Sequence, residues 1–157
     1  MQAQQGDHDQ SETLPLSKAA SLLLEECRMM IPGIQGLFGF QMIVVFNDGF
    51  HTRLSHGEQE LHLVAITLIV LTMALIMTPA AFHRQTSPRE ITERFVGLCT
   101  RALIWSMAPF VVGICLDVYL VARVIVGSPS VSWLVAALAA VFIGLWFVLP
   151  RVSASRI

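Results

Sequence analysis

Charge is scarce in this sequence. Only 13% of the 157 residues are Asp, Glu, Lys or Arg, against about 25% in soluble domains, while 55% are hydrophobic and the mean hydropathy is +0.68. A soluble globular domain is thereby excluded. Basic, aromatic-interleaved patches are missing too, and with a formal net charge of -1 nothing points to nucleic acid. The three cysteines, Cys27, Cys99 and Cys115, are an odd number without CxxC spacing, so neither a disulfide framework nor a zinc site is indicated. They read as small apolar fillers. A nucleophile elbow, HExxH, paired carboxylates and a phosphate loop are all absent, which argues against an enzyme, and no cofactor or metal is expected. Before the first helix there is no charged-then-apolar signal pattern; residues 1–15 read as a polar, disordered cytoplasmic tail.

What the chain does have is apolar runs of membrane-spanning length. A hydrocarbon core of roughly 30 Å needs about 20 apolar residues of helix. Four runs qualify, at about 29–46, 61–81, 102–126 and 131–149, within a transmembrane domain of residues 16–150 followed by a short tail, 151–157. The fold class is therefore all-α, a polytopic bundle of four transmembrane helices. Ahead of it, residues 16–30 form an amphipathic interfacial helix: Leu16, Ala20, Leu23, Cys27 and Met30 share one face, Lys18, Ser21, Glu25 and Arg28 the other.

Several boundaries carry signals. Pro32 and Gly33 are expected to kink or break the chain at the entrance to the first span, Pro79 to end the second and Pro150 the fourth. Asn47-Asp48-Gly49 opens a polar loop between the first two spans. A helix leading into the third span starts near Ser87-Pro88-Arg89-Glu90, a serine cap before a first-turn proline. Gly127-Ser128-Pro129-Ser130 is a tight turn.

Eight of the ten Lys and Arg residues fall on the side of the two termini, and only Arg53 and Arg123 on the other. Because cytoplasmic loops retain basic residues, both termini are expected in the cytoplasm. Trp105 and Trp146 near one set of helix ends, and Trp133 near the other, fit aromatic belts.

The third span carries Asp117, about 14 Å inside its Val126 end, too deep for a short carboxylate to snorkel. Intramembrane carboxylates are costly and commonly mark ion or proton paths, although a neutral, hydrogen-bonded carboxyl can also serve as a packing residue. With Ala102, Ser106, Pro109 and Gly113 it shares a small, polar sector, expected to pack on Ala136, Ala140 and Gly144 of the fourth span. Asp117 and Ser106 are thus the intramembrane polar site. Arg123 lies about 120° around the helix, so any cationic partner of Asp117 must come from another helix or subunit. Gly33, Gly36 and Gly39 would admit close helix approach, and Gln35 and Gln41 interhelical hydrogen bonds. His51, His56 and His62 with Asp48, Glu58 and Glu60 could in principle ligate a metal, in no recognised spacing.

The stretch LLLEECRMMIPGIQGLFGF, followed by HLVAITLIVLTMALIMTPAAFHR, resembles a domain-of-unknown-function family of bacterial integral membrane proteins. The matching pattern is a leucine pair and Glu26-x-Arg28, then Gly33-x-Gln35 and Leu37-Phe38-x-Phe40, then Pro79-Ala80-Ala81-Phe82-His83-Arg84. It covers residues 22–84. The resemblance implies four helices in a bacterial inner membrane and no particular chemistry. Glu26, Arg28, Gln35, His83 and Arg84 fall at similar cytoplasmic depth and are expected to form an inner-interface network, either an ion-paired anchor or an anion site.

Two functional classes follow. One is a structural or regulatory membrane component acting through helix–helix contacts; the other is a small oligomeric ion or proton channel or transporter using Asp117. The expected partners are the bilayer and other membrane proteins or further copies of the chain, since four short helices enclose little interior.

Overall fold

The computed structural model describes residues 15–86 and 91–154, and these form helices without a strand. The expected tail, 1–15, and the cap at Ser87 lie almost wholly outside the described residues. Helix α1 runs Leu16–Val45, α2 Asp48–Arg53, α3 His56–Thr86, α4 Glu93–Val126, α5 Ser132–Ile143 and α6 Leu149–Ala154. Four helical stretches are long and apolar enough to cross a membrane, the shortest being Ser132–Ser153 with 22 residues, or about 33 Å.

Three prolines expected to end or break helices do not. Pro32 and Pro79 lie inside the continuous helices α1 and α3. Each removes one amide from the ladder, a loss that a long apolar helix sustains because the turns on both sides remain bonded. The interfacial segment 16–30 and the first span are consequently a single helix of 30 residues. Pro150 sits within α6, directly after a π turn, Gly144–Val148. A proline ring collides with the carbonyl four residues back in an α-helix, and the wider π turn supplies the room that lets the helix continue.

The loop between the first two spans is largely helical. Asn47 caps α2 by accepting from the Gly49 amide at 3.0 Å. Ser55 and Glu58 cap α3 reciprocally: the Ser55 amide and hydroxyl donate to Glu58 Oε2, both at 2.8 Å, and the Glu58 amide donates to Ser55 Oγ at 3.4 Å. Thr92 caps α4 at the Phe95 amide, and Gly127, at φ 68°, ends it in the left-handed conformation that glycine adopts freely.

Helices α1, α3 and α4 form the core. Cys27, Ile34, Ile69 and Ile76 are its buried centre, with Leu103 and Phe110 of α4 packed against it, and Ala20, Phe95 and Cys99 form a second cluster toward the start of α1. The tightest approach is α3 on α4 at Gly113, where a Cβ would lie 2.9 Å from Ile69 Cδ1 and 3.5 Å from the Ala65 carbonyl oxygen. The small sector of α4 thus faces α3, which corrects the expected pairing with the last span. Ala136 and Ala140 are exposed, and nothing lies within 4 Å of a Cβ at Gly144. The last span instead meets α4 through Trp146, stacked on Phe110 with ring centroids 6.4 Å apart. Trp105 and Trp133 are 71% and 81% exposed, whereas Trp146, the third expected belt residue, is half-buried.

Candidate functional site

Three helices each deliver one polar side chain to a point near their α2 ends. Gln41 lies four residues before the end of α1, His62 in the second turn of α3, and Asp117 nine residues before the end of α4. Gln41 Nε2 donates to Asp117 Oδ2 at 2.7 Å. His62 Nε2 lies 3.1 Å from the Gln41 main-chain oxygen. A carbonyl only accepts, so the ring proton belongs on Nε2, and Nδ1 is left facing Asp117 Oδ1 at 3.8 Å. At that separation the imidazole and the carboxyl face one another without a direct hydrogen bond. Phe50 of α2 caps the imidazole with its ring at 5.3 Å. Gln41 and His62 are buried, while the Asp117 side chain keeps 17% of its surface.

That remaining surface faces a pocket of about 820 Å³. Its walls are apolar, from Phe40, Val44, Leu120 and Val121 among others, and α2 closes one end with Asn47, Asp48, Thr52 and Arg53. Beside it the Arg123 guanidinium lies 3.2 Å from Glu58 Oε1, tying the end of α4 to the start of α3. Arg123 is thus separate from Asp117, and the imidazole that faces Asp117 comes from another helix, α3.

Below Asp117 the packing closes. One turn along, Gly113 sits on Ile69, and beyond it Ile69, Thr72, Ile76 and Ser106 are essentially inaccessible. The hydroxyls there turn back on their own helices, Thr72 to the Leu68 carbonyl at 2.8 Å and Ser106 to the Leu103 carbonyl at 2.7 Å. Ser106 therefore does not join Asp117; eleven residues of helix, about 16 Å, separate them.

The expected inner-interface network is not assembled. Among the described residues, no hydrogen bond or ion pair links Glu26, Arg28, Gln35, His83 and Arg84; all but the half-buried His83 are exposed, and the His83 ring lies 5.3 Å from that of Phe95. Gly33, Gly36 and Gly39 have nothing within 4 Å of an added Cβ, so among the described residues no helix packs on them. The candidate metal ligands disperse as well: His62 goes to Asp117, His56 pairs with Glu60 at 3.3 Å, and Glu58 goes to Ser55 and Arg123. The sequence reading put His62 where the polar loop meets the second span, 61–81, and grouped it with the loop histidines. Its one available signal was the Ser55-x-x-Glu58 capping box, which starts the helix early enough to bring His62 inside it.

The family of unknown function DUF6328 matches residues 10–150. The chain belongs to this family. Membership of DUF6328 agrees with the resemblance carried by residues 22–84 and extends it over nearly the whole chain. No curated protein and no solved structure matches the sequence. For this member of DUF6328 the chemistry must therefore be argued from the cluster itself.

Proposed function

We propose that the chain is a regulatory component of the bacterial inner membrane that works by binding, at the Asp117 pocket and along its uncovered helix faces, and that it conducts nothing by itself. The observation that carries this is the state of Asp117. Its carboxylate is held by Gln41 and faced by His62 at the base of a closed-bottom pocket, with interlocked α3 and α4 beneath it. A conducting path needs successive polar stations, whereas the hydroxyls below Asp117 are turned onto their own helices. The exposed face of α1, with Gly33, Gly36 and Gln35, supports contact with other membrane helices, from a further copy or another protein. The excess of Lys and Arg on the side of the termini supports cytoplasmic termini, and in this reading the pocket lies in the outer half of the bilayer.

A second reading, an ion or proton channel or transporter, is favoured by one feature, the placement of two ionisable side chains, His62 and Asp117, face to face between apolar helices. Ion and proton flux in proteoliposomes separates the two. The expected result is no flux above empty vesicles from either the native protein or Asp117→Asn. Flux in the native protein that falls sharply in the variant would replace the binding reading with the transport one.

A further inference from the structure

We infer that the pocket receives a protonated amine carried on an apolar body, with Asp117 as its counter-ion. This rests on the binding reading above and names the ligand for that site.

The hydrogen-bonding inventory at the base of the pocket is one-sided. Two of its donors are committed, one Gln41 Nε2 hydrogen to Asp117 and His62 Nε2 to the Gln41 carbonyl. What remains is mainly acceptors. Asp117 keeps surface on the pocket, and Gln41 Oε1, on a side chain only 3% exposed, has no donor among the described residues. A buried amide oxygen without a donor is costly, so a group bearing several N–H donors gains most by entering there. An anion would meet the Asp117 carboxylate at this base, and the one guanidinium of the lining, Arg53, stands at the α2 end.

Charge agrees with this. The lining holds the two carboxylates Asp48 and Asp117 against the one guanidinium of Arg53. Glu58 and Arg123, the neighbouring charged pair, neutralise each other. Along the walls Phe40, Ile43, Val44, Val121, Val124 and Ile125 accept an alkyl body, and the Phe40 ring, 71% exposed, is open to a cation–π contact.

A proton competes with the ammonium. From α1 the cluster is faced by the neutral Gln41, from α2 by Asp48 and Arg53, and from α3 by His62, whose ring lies 3.8 Å from Asp117. An ammonium pairs with the Asp117 carboxylate only in its ionised form, so acidification weakens binding.

Calorimetric titration of the native protein in phosphatidylglycerol nanodiscs, with decylamine, decanol and decanoate as probes, tests the proposal. Decylamine is expected to bind saturably, about tenfold or more tighter than decanol, with no saturable decanoate binding and with affinity falling as pH is lowered. Asp117→Asn should lose that preference. Val121→Trp, which fills the pocket from its wall and keeps the Gln41, His62 and Asp117 side chains, should block decylamine and so serves if Asp117→Asn does not fold. Repeating the titration with ethanolamine phospholipid in the disc separates the sources. Decylamine weakened by that lipid, and restored by Arg53→Gln, identifies a lipid amine held also by its phosphate; unchanged decylamine binding identifies a free amine. Equal saturable binding of decylamine and decanol, lost in Val121→Trp, would overturn the amine while leaving a binding pocket. No saturable binding of any probe would overturn both.

Discussion

Gln41 shows how a polar side chain earns its place within apolar helices. Its amide spans from the end of α1 to the carboxylate of α4, so deleting either partner leaves the other buried and incompletely bonded. Gln41→Leu is expected to lower unfolding stability by about 1–3 kcal/mol, measured by denaturant titration in micelles. In an Asp117→Leu background the same change should cost much less, because the stranded group is gone. Equal costs in the two backgrounds would show that the 2.7 Å contact contributes no coupling. Asp117 was legible from sequence because a carboxylate inside an apolar run stands out. His62 was not, since a histidine in HGEQELH resembles a loop residue until the Ser55–Glu58 cap is recognised as the start of a helix. Gln41 was expected to bond across helices, but its partner depended on a rotation that one-dimensional spacing leaves open.

Among the elements, α3 against α4 is the pairing that admits least change. A methyl group at Gly113 would lie 2.9 Å from Ile69 Cδ1 and 3.3 Å from Cγ1, and Ile69 has no exposed surface into which to retreat. Gly113→Ala is therefore expected to destabilise the protein by about 1–3 kcal/mol. Adding Ile69→Val, which removes Cδ1, should recover part of that loss. Gly36→Ala, with open space around it, should leave the folded protomer's stability unchanged or slightly raised. Thermal unfolding followed by tryptophan fluorescence reads all three. That the small sector of α4 serves a neighbouring helix was visible in the sequence; which neighbour was not. Alanines and glycine at four-residue spacing in the last span made an equally good partner on paper, and the isoleucines of α3 filled that place because branched side chains can interlock around a glycine.

For the whole molecule, the four apolar stretches were legible because bilayer thickness fixes their length; the end of α4 at Val126 was legible from Gly127, whereas the ends marked by proline were not, because proline is a weaker stop in a long apolar helix than in water. Orientation is checked with cysteine labelling. Cys27, Cys99 and Cys115 are all buried, so the folded native protein should resist an impermeant maleimide. A cysteine at exposed Ser130 should react in intact cells, and one at exposed Ser153 only after lysis. The opposite pattern would invert the topology, and the pocket would then open to the cytoplasmic side.

The π turn before Pro150 has a consequence for the C-terminal end of the chain. Such a turn accommodates one residue more than an α turn, which rotates everything after it by about 100° relative to a wheel drawn from α5. In this shifted frame Arg151 folds back, Nη1 donating to the Phe147 carbonyl at 2.7 Å and the guanidinium lying 5.9 Å from the Phe147 ring centroid. A single-residue deletion between 144 and 148 would bring α6 back into phase with α5, swing Arg151 toward a different azimuth and set the Pro150 ring against a carbonyl. The extra residue is thus what makes a proline and an anchoring arginine compatible on one uninterrupted helix.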